Sequence, residues 1–493
     1  MTQVEFVGLA PIITLGILVL VQMIAIAIKR NHLFMLVLTI VGLLATLASL
    51  SYSAQVLPLD ITPLLHANNM SALFTILFLF IGVCTSFFAF HYLHNRQGDQ
   101  EEFYMLLVIA ILGATTMANA VHFASMLLGL EILSIALYTL IAYPEEHRAP
   151  LEAALKYLIL SGVASTTALF GMALVYLAVG EMGFTEIGSA VANSDAGNFY
   201  LVTGNSMLLV GLIFKLSLIP FHMWTPDVYE GAPAPVTGLV ASLSKAAVVA
   251  LMLNYFVATD LLSNASIFRF LSFLAAGSMV VGNLLALSQN NLKRLLAYSS
   301  IAHIGYLLIA MLALYQASNT ELAIEASVVY IFGYVFMTLA AFGVITLLTA
   351  APTAETGEEA QMVDDYKGLF WREPLLAVVL SISFFALAGL PLTIGFVAKF
   401  YVLSAGIEAQ LWMLLWALII GSSIGIYYYL RIIFAMTLNP DSKVAPTAGM
   451  NNAVESKSIP GIVTAVVLAL IILVYGIFPM PLINLVQSAV TSL

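Results

Sequence analysis

The stretch GLIFKLSLIPFH, residues 211–222, sets one lysine, Lys215, inside an otherwise apolar run and follows it with Pro220. Nothing nearby in the sequence neutralises the charge. Composition says what surrounds it: of 493 residues, 62% are hydrophobic and 9% charged, against roughly 25% charged in a soluble domain. The chain therefore reads as a membrane protein. Its apolar runs are continuous and about 20 residues long or more, each enough to cross ~30 Å of hydrocarbon as a helix. They lack the alternation of a barrel, so helices are implied rather than strands.

The single cysteine, Cys84, rules out a disulfide framework and a cysteine-ligated cluster. No electron-carrying site is expected in this chain. The net charge of −10 argues against a nucleic-acid partner. The first run ends in IAIKRNH without a small-residue cleavage site, so it reads as a retained helix rather than a signal peptide.

Runs and polar interruptions predict spans at 7–28, 32–52, 72–93, 103–120, 122–142, 152–179, 199–221, 233–258, 267–289, 294–316, 322–349, 373–404, 410–436 and 459–487, fourteen in all. The expected fold is an all-α polytopic membrane protein, one membrane domain over 1–493. An even count returns both termini to one side. Connections one-two, three-four, five-six, nine-ten, eleven-twelve and thirteen-fourteen hold Lys29, Arg30, Arg96, Arg148, Lys293, Arg294, Lys367, Arg372, Arg431, Lys443 and Lys457, and the opposite set holds only Arg269. Positive charge accumulates in cytoplasmic connections. Both termini are thus expected outside, on the periplasmic side of a bacterial inner membrane.

The basic residues left over are Lys156, Lys215, Lys245 and Lys399, and the only acid well inside a span is Glu131, in LLGLEILSIALY. A lysine near the bilayer centre costs ~2.5–3.5 kcal/mol on insertion scales, so it is expected to face a partner or water. Lys156 lies only a few residues into its helix, where a lysine can simply snorkel to the interface. Lys215, Lys245 and Lys399 lie too deep for that. His303 is the one imidazole of its span, YSSIAHIGYLLIAML.

Two spans should also be broken. Pro220, Pro226, Pro233 and Pro235 follow Lys215, and LAGLPLTIGFVAKF brings Gly389, Pro391 and Gly395 just before Lys399. Proline removes a helical donor and clashes with the preceding turn. A kink alone would be harmless, but interrupted backbone at membrane depth survives only where protein or water satisfies it. The seventh and twelfth spans are five apart and run in opposite directions, as in inverted five-helix repeats. Repeat one is expected over 101–260 and repeat two over 261–438, flanked by N-terminal helices in 1–100 and a loop and last helix in 439–493. In that register Lys399 corresponds to Lys215. Low dielectric disfavours a charged lysine and a nearby carboxylate favours it, so the charge on Lys215 is switchable by its separation from Glu131. Lys245, His303 and Lys399 would continue such a relay.

These residues carry a resemblance. LLGLEILSIALY, PLEAALKYLILS, GLIFKLSLIPFHMWTPDVYEGAPAPVTG, ALSQNNLKRLLAYSSIAHIGY, LAGLPLTIGFVAKFYVL and IGIYYYLR, spread over almost the whole chain, resemble the antiporter-like membrane subunits of respiratory complex I. The resemblance implies a glutamate at Glu131 paired with Lys215, further relay lysines at Lys245 and Lys399, a modulating lysine at Lys156, and His303 on a central axis. It implies proton translocation within an NADH:quinone oxidoreductase whose NADH, flavin, iron–sulfur clusters and quinone bind partner subunits. Within the family, Lys399 and an end at Leu493 just after the fourteenth span fit the N type, flanked by subunits K and M, rather than the M or L types. Mrp-type cation/proton antiporter subunits share the core and are the alternative.

Overall fold

The structure, a computed structural model, describes residues 2–94, 99–143, 148–193, 199–316, 319–349, 361–438 and 458–490. Of the loop charges above, Arg96, Lys443 and Lys457 lie outside these residues. The apolar runs fold as helices: α1 (Gln3–Ile28), α2 (His32–Ser53), α3 (Asn69–His94), α4 (Glu102–Ala118), α5 (Phe123–Ala142), α6 (Arg148–Val179) and a short α7 (Phe184–Asn193). The middle of the chain supplies α8 (Phe199–Leu216), α9 (Trp224–Gly231), α10 (Ala234–Leu239) and α11 (Lys245–Thr259). Then come α12 (Ala265–Leu287), α13 (Leu292–Gln316), α14 (Thr320–Thr349), α15 (Leu369–Arg372), α16 (Pro374–Ala388), α17 (Ile394–Glu408), α18 (Trp412–Thr437), α19 (Ile459–Ile477) and α20 (Met480–Val490).

Among the described residues, 12 segments are long and apolar enough to cross a membrane. The other two expected spans are α4, of 17 residues, and the broken pair α16–α17. The chain is a multi-pass membrane protein. Among the described residues one strand pair interrupts the helices, β1 (Leu59–Thr62) against β2 (Leu65–Ala67). Pro58 and Pro63 flank β1, and neither can continue a helical ladder.

The connections alternate between the two ends of the bundle. At one end Leu65 bridges to Ala120 and His122 to Gly183, which joins the loops after α2, α4 and α6. At the other, Asn291 bridges to Met362, joining the loops after α12 and α14. The centre is α13, α14 and the α10–α11 span, buried along nearly their whole length. α14 packs against α3, α10, α13, α16, α17 and α19.

Three expectations need correcting. The eighth span is not a uniform helix, because a π turn at Val240–Ser244 separates α10 from α11. The fourteenth breaks at Phe478–Pro479 into α19 and α20, since Pro479 and Pro481 deny donors to the ladder. Lys293 is no loop charge: it lies in the first turn of α13, fully buried, with Nζ donating to the Ala232 carbonyl at 2.6 Å.

Candidate functional site

The two expected breaks are present and are built alike. α8 ends because Ser217 takes a left-handed backbone, φ 67°. Its N–H returns to the Phe214 carbonyl at 2.9 Å and the Leu218 N–H to Ile213 at 3.2 Å. α16 ends at Gly389, φ 82°, with the Leu390 N–H returning to Phe385 at 3.0 Å. Both are Schellman-type endings. Downstream, Pro220 and Pro391 prevent the helix from resuming at once, and α9 and α17 start several residues later.

Such an ending leaves the last carbonyls free inside the bundle, where an unpaired one costs about 1–3 kcal/mol. A lysine closes each. Lys245 Nζ donates to the Leu216 carbonyl at 3.1 Å and to Ser217 Oγ at 3.3 Å. Lys399 Nζ donates to Leu387 and Ala388 carbonyls at 3.2 and 2.9 Å, and to Ser422 Oγ at 2.7 Å. A Cβ on Gly389 would meet Lys399 Cδ at 2.7 Å. Glycine there serves both the positive φ and the approach of the lysine. As the sequence order gives, Lys215 precedes its break and Lys399 follows its own. In contacts, Lys399 matches Lys245.

Lys215 sits in a separate chamber, 3% exposed. Nζ donates to Ser134 Oγ of α5 and Ser161 Oγ of α6, both at 2.6 Å. It also lies 5.7 and 5.2 Å from the ring centroids of Tyr138 and Tyr157. Two hydrogen bonds from a charged donor, at about 1.5–3 kcal/mol each, match the ~2.5–3.5 kcal/mol cost of placing a lysine there. The expected direct pair with Glu131 is not formed. Glu131 stands one turn before Ser134 on α5, with Oε1 buried and without a hydrogen-bond partner among the described residues.

His303 is 3% exposed at the centre of α13. Nδ1 is 2.8 Å from Tyr330 Oη, and its ring packs on Tyr306 and Tyr334. The Leu387 carbonyl that accepts from Lys399 also faces it. Lys399 Nζ lies 5.3 Å from the Tyr306 ring centroid. Tyr334 Oη donates to Ser300 Oγ at 2.7 Å, and Tyr229 of α9 reaches the same hydroxyl at 3.5 Å. The structure thus brings His303 beside Lys399 at the second break, while at the first Lys245 closes the end of the half-helix that carries Lys215.

Lys156 belongs to neither group. Its side chain is 44% exposed and ion-paired with Glu152 at 2.8 Å and Asp227 at 2.9 Å. Burial would raise the Asp227 carboxyl, but hydrogen bonds from Lys156 and Arg294 outweigh it and hold the group below its ordinary value. The lysine reaches the edge of the bundle, as its place near a helix start allows.

Sequence reasoning missed the hydroxyls of Ser134, Ser161 and Ser422, and the acid Asp227. Ser134 is legible only as the residue three after Glu131, on the same helical face. Asp227 lies inside a quoted motif but beyond any predicted span.

The family model for the transmembrane region of NADH:quinone oxidoreductase and Mrp antiporters matches residues 120–425, more than half of the chain and every buried ionisable group above. Among solved structures, the chain is 30% identical to a chain of respiratory complex I from Thermus thermophilus with bound aureothin, covering 96% of this chain and 98% of that one at a TM-score of 0.78. An archaeal membrane-bound sulfane sulfur reductase shares the fold at 24% identity and a TM-score of 0.81, over 100% of this chain and 98% of that one. An Mrp complex from Dietzia sp. does so at 17% identity and 0.84, with the same coverage. By the extent of the family match and the complex I likeness together, the chain belongs to the NADH:quinone oxidoreductase/Mrp antiporter family of membrane subunits.

Proposed function

We propose that the chain is a proton-translocating membrane subunit of an NADH:quinone oxidoreductase, a translocase of the N type. The observation that supports this most is the set of four buried titratable groups, Lys215, Lys245, His303 and Lys399, each hydrogen-bonded to neutral partners. Among the described residues none of the four lies in an ion pair. A group so placed holds or releases a proton without breaking a fixed carboxylate contact. Glu131, one turn before Ser134 on α5, is the acid of this set. The proton released at Lys215 passes by hydroxyls and water towards Lys245, His303 and Lys399, and leaves past the α16–α17 break on the outer side.

NADH, flavin, iron–sulfur clusters and quinone are held by partner subunits in this reading, and this chain carries no cofactor of its own. Its neighbours are subunits K and M, set in the bilayer of a bacterial inner membrane with both termini periplasmic. The two sets of helices, 101–260 and 261–438, act as inverted repeats around the breaks.

The test uses membranes with equal amounts of assembled complex bearing Glu131→Ala or Lys215→Ala. Quinone reduction and NADH-driven acidification are expected to fall together. Normal pumping by both variants would instead indicate a scaffold whose charges only join helices. Exchange of sodium for protons without quinone chemistry would support an Mrp-type antiporter subunit, whose fold the chain shares.

A further inference from the structure

The half-helix α9 is held from both sides by charges. Asp227 accepts from Lys156 Nζ of α6 at its Oδ2, and from Arg294 Nη1 of α13 at its Oδ1, each at 2.9 Å. Arg294 Nη1 also donates to Glu230 Oε2 at 2.6 Å, and Asn291 Nδ2 to Glu230 Oε1 at 3.0 Å. One carboxylate thus receives a cation from each half of the bundle. A single exposed pair contributes little, but a shared acceptor with two cations forms a network whose members depend on one another.

α9 leans on both buried groups. At its start the Trp224 indole donates to the Phe214 carbonyl at 3.0 Å and stacks on Tyr157 at 4.6 Å, closing the Lys215 chamber. One and a half turns later Tyr229 meets Ser300, one turn before His303 on α13. A shift of α9 therefore moves a wall of the first site and a hydroxyl beside the second. We infer that Asp227 is a positioning residue: it latches α9 between Lys156 and Arg294, and this keeps the Lys215 chamber in register with the His303–Lys399 group. The latch follows from geometry alone, whereas its consequence for transport rests on the proposed function.

The test uses the intact complex with Asp227→Asn and Asp227→Glu, and two readouts. Backbone hydrogen exchange over residues 224–231 is expected to rise about tenfold in the asparagine variant and to return near wild type in the glutamate variant. Protons moved per quinone reduced are expected to fall at least about twofold with asparagine and to recover with glutamate. In wild type that ratio falls with rising ionic strength, because the Lys156–Asp227 pair is exposed to screening, while the asparagine variant no longer responds. Unchanged exchange with asparagine overturns the latch whatever transport does. Faster exchange at an unchanged proton ratio overturns the coupling, provided Lys215→Ala abolishes transport in the same membranes. Failure of that control would count against the proposed function, and the exchange result would still decide the latch. If Asp227→Asn does not assemble, Lys156→Gln removes one of the two cations and carries the same test with a smaller shift.

Discussion

Lys245 Nζ donates to the carbonyl of Leu216 at 3.1 Å, so the ammonium of one span closes the end of the half-helix that carries Lys215. A cation at a helix C-terminus is worth about 0.3–1 kcal/mol when exposed and up to ~2 kcal/mol when partly buried. Lys399 repeats the arrangement on α16 and there serves three acceptors with its three N–H donors. Removing its proton leaves one acceptor unserved. Charge on these lysines and the geometry of the breaks are thus two aspects of one contact.

Lys245→Met is expected to leave the Leu216 carbonyl unpaired in a buried place, lowering stability by about 1–3 kcal/mol and abolishing transport. Lys245→Arg keeps donors for the carbonyl but cannot give up a proton. Thermal denaturation of the purified complex beside NADH-driven acidification separates the two roles: the arginine variant should melt near wild type and still fail to pump. An arginine variant that pumps would reduce Lys245 to a cap.

At Lys399 the amide of Lys399→Gln offers two hydrogens for the three acceptors and has no titratable group. Assembly should persist and proton transport should be lost, read as acidification at equal complex content. Transport at the wild-type rate would show that Lys399 carries no proton.

Ser161→Ala removes one of the two hydroxyls on Lys215 and the acceptor of the Tyr138 Oη hydrogen bond. The ammonium then keeps only Ser134. Proton transport should slow by about tenfold, equivalent to ~1.4 kcal/mol in the barrier, with assembly intact. No change in the initial rate of acidification would mean that the hydroxyl takes no part.

Tags placed at Thr2 and Ser492 should both be reached by an impermeant reagent added from the periplasmic side. The loop charges require it, and the bridges that gather alternate connections at opposite ends of the bundle agree with the alternation. Labelling of either tag only after the membrane is opened to the cytoplasm would reverse the orientation.

Most of this architecture was legible because membrane helices carry their signal in one variable, uninterrupted apolarity. Lys215, Lys245 and Lys399 stood out for the converse reason, each being a costly exception in such a run. The breaks followed from Pro220, Pro391 and Gly389. The partners were hidden because serine is common in membrane helices and commonly bonds its own backbone: Ser134 and Ser383 both donate to a carbonyl four residues back, yet only Ser134 also accepts from a buried lysine. Lys293 was misplaced since a Lys-Arg pair after a polar loop reads as two loop charges. Only the fold shows one turning inward to Ala232 and the other outward to Asp227. The π turn before Lys245 was not legible, since Val240–Ser244 holds neither proline nor glycine to mark it.

Whether Lys215 alternates between charged and neutral states during turnover is decided by Lys215→Arg in purified complex reconstituted into liposomes. Arginine retains the positive charge and the donors for Ser134 and Ser161 but stays protonated. With assembly checked by native electrophoresis and NADH supplied outside, lumenal pH is followed against quinone reduced. The arginine variant is expected to assemble and move no protons; pumping at the wild-type ratio would show that Lys215 need not give up its charge.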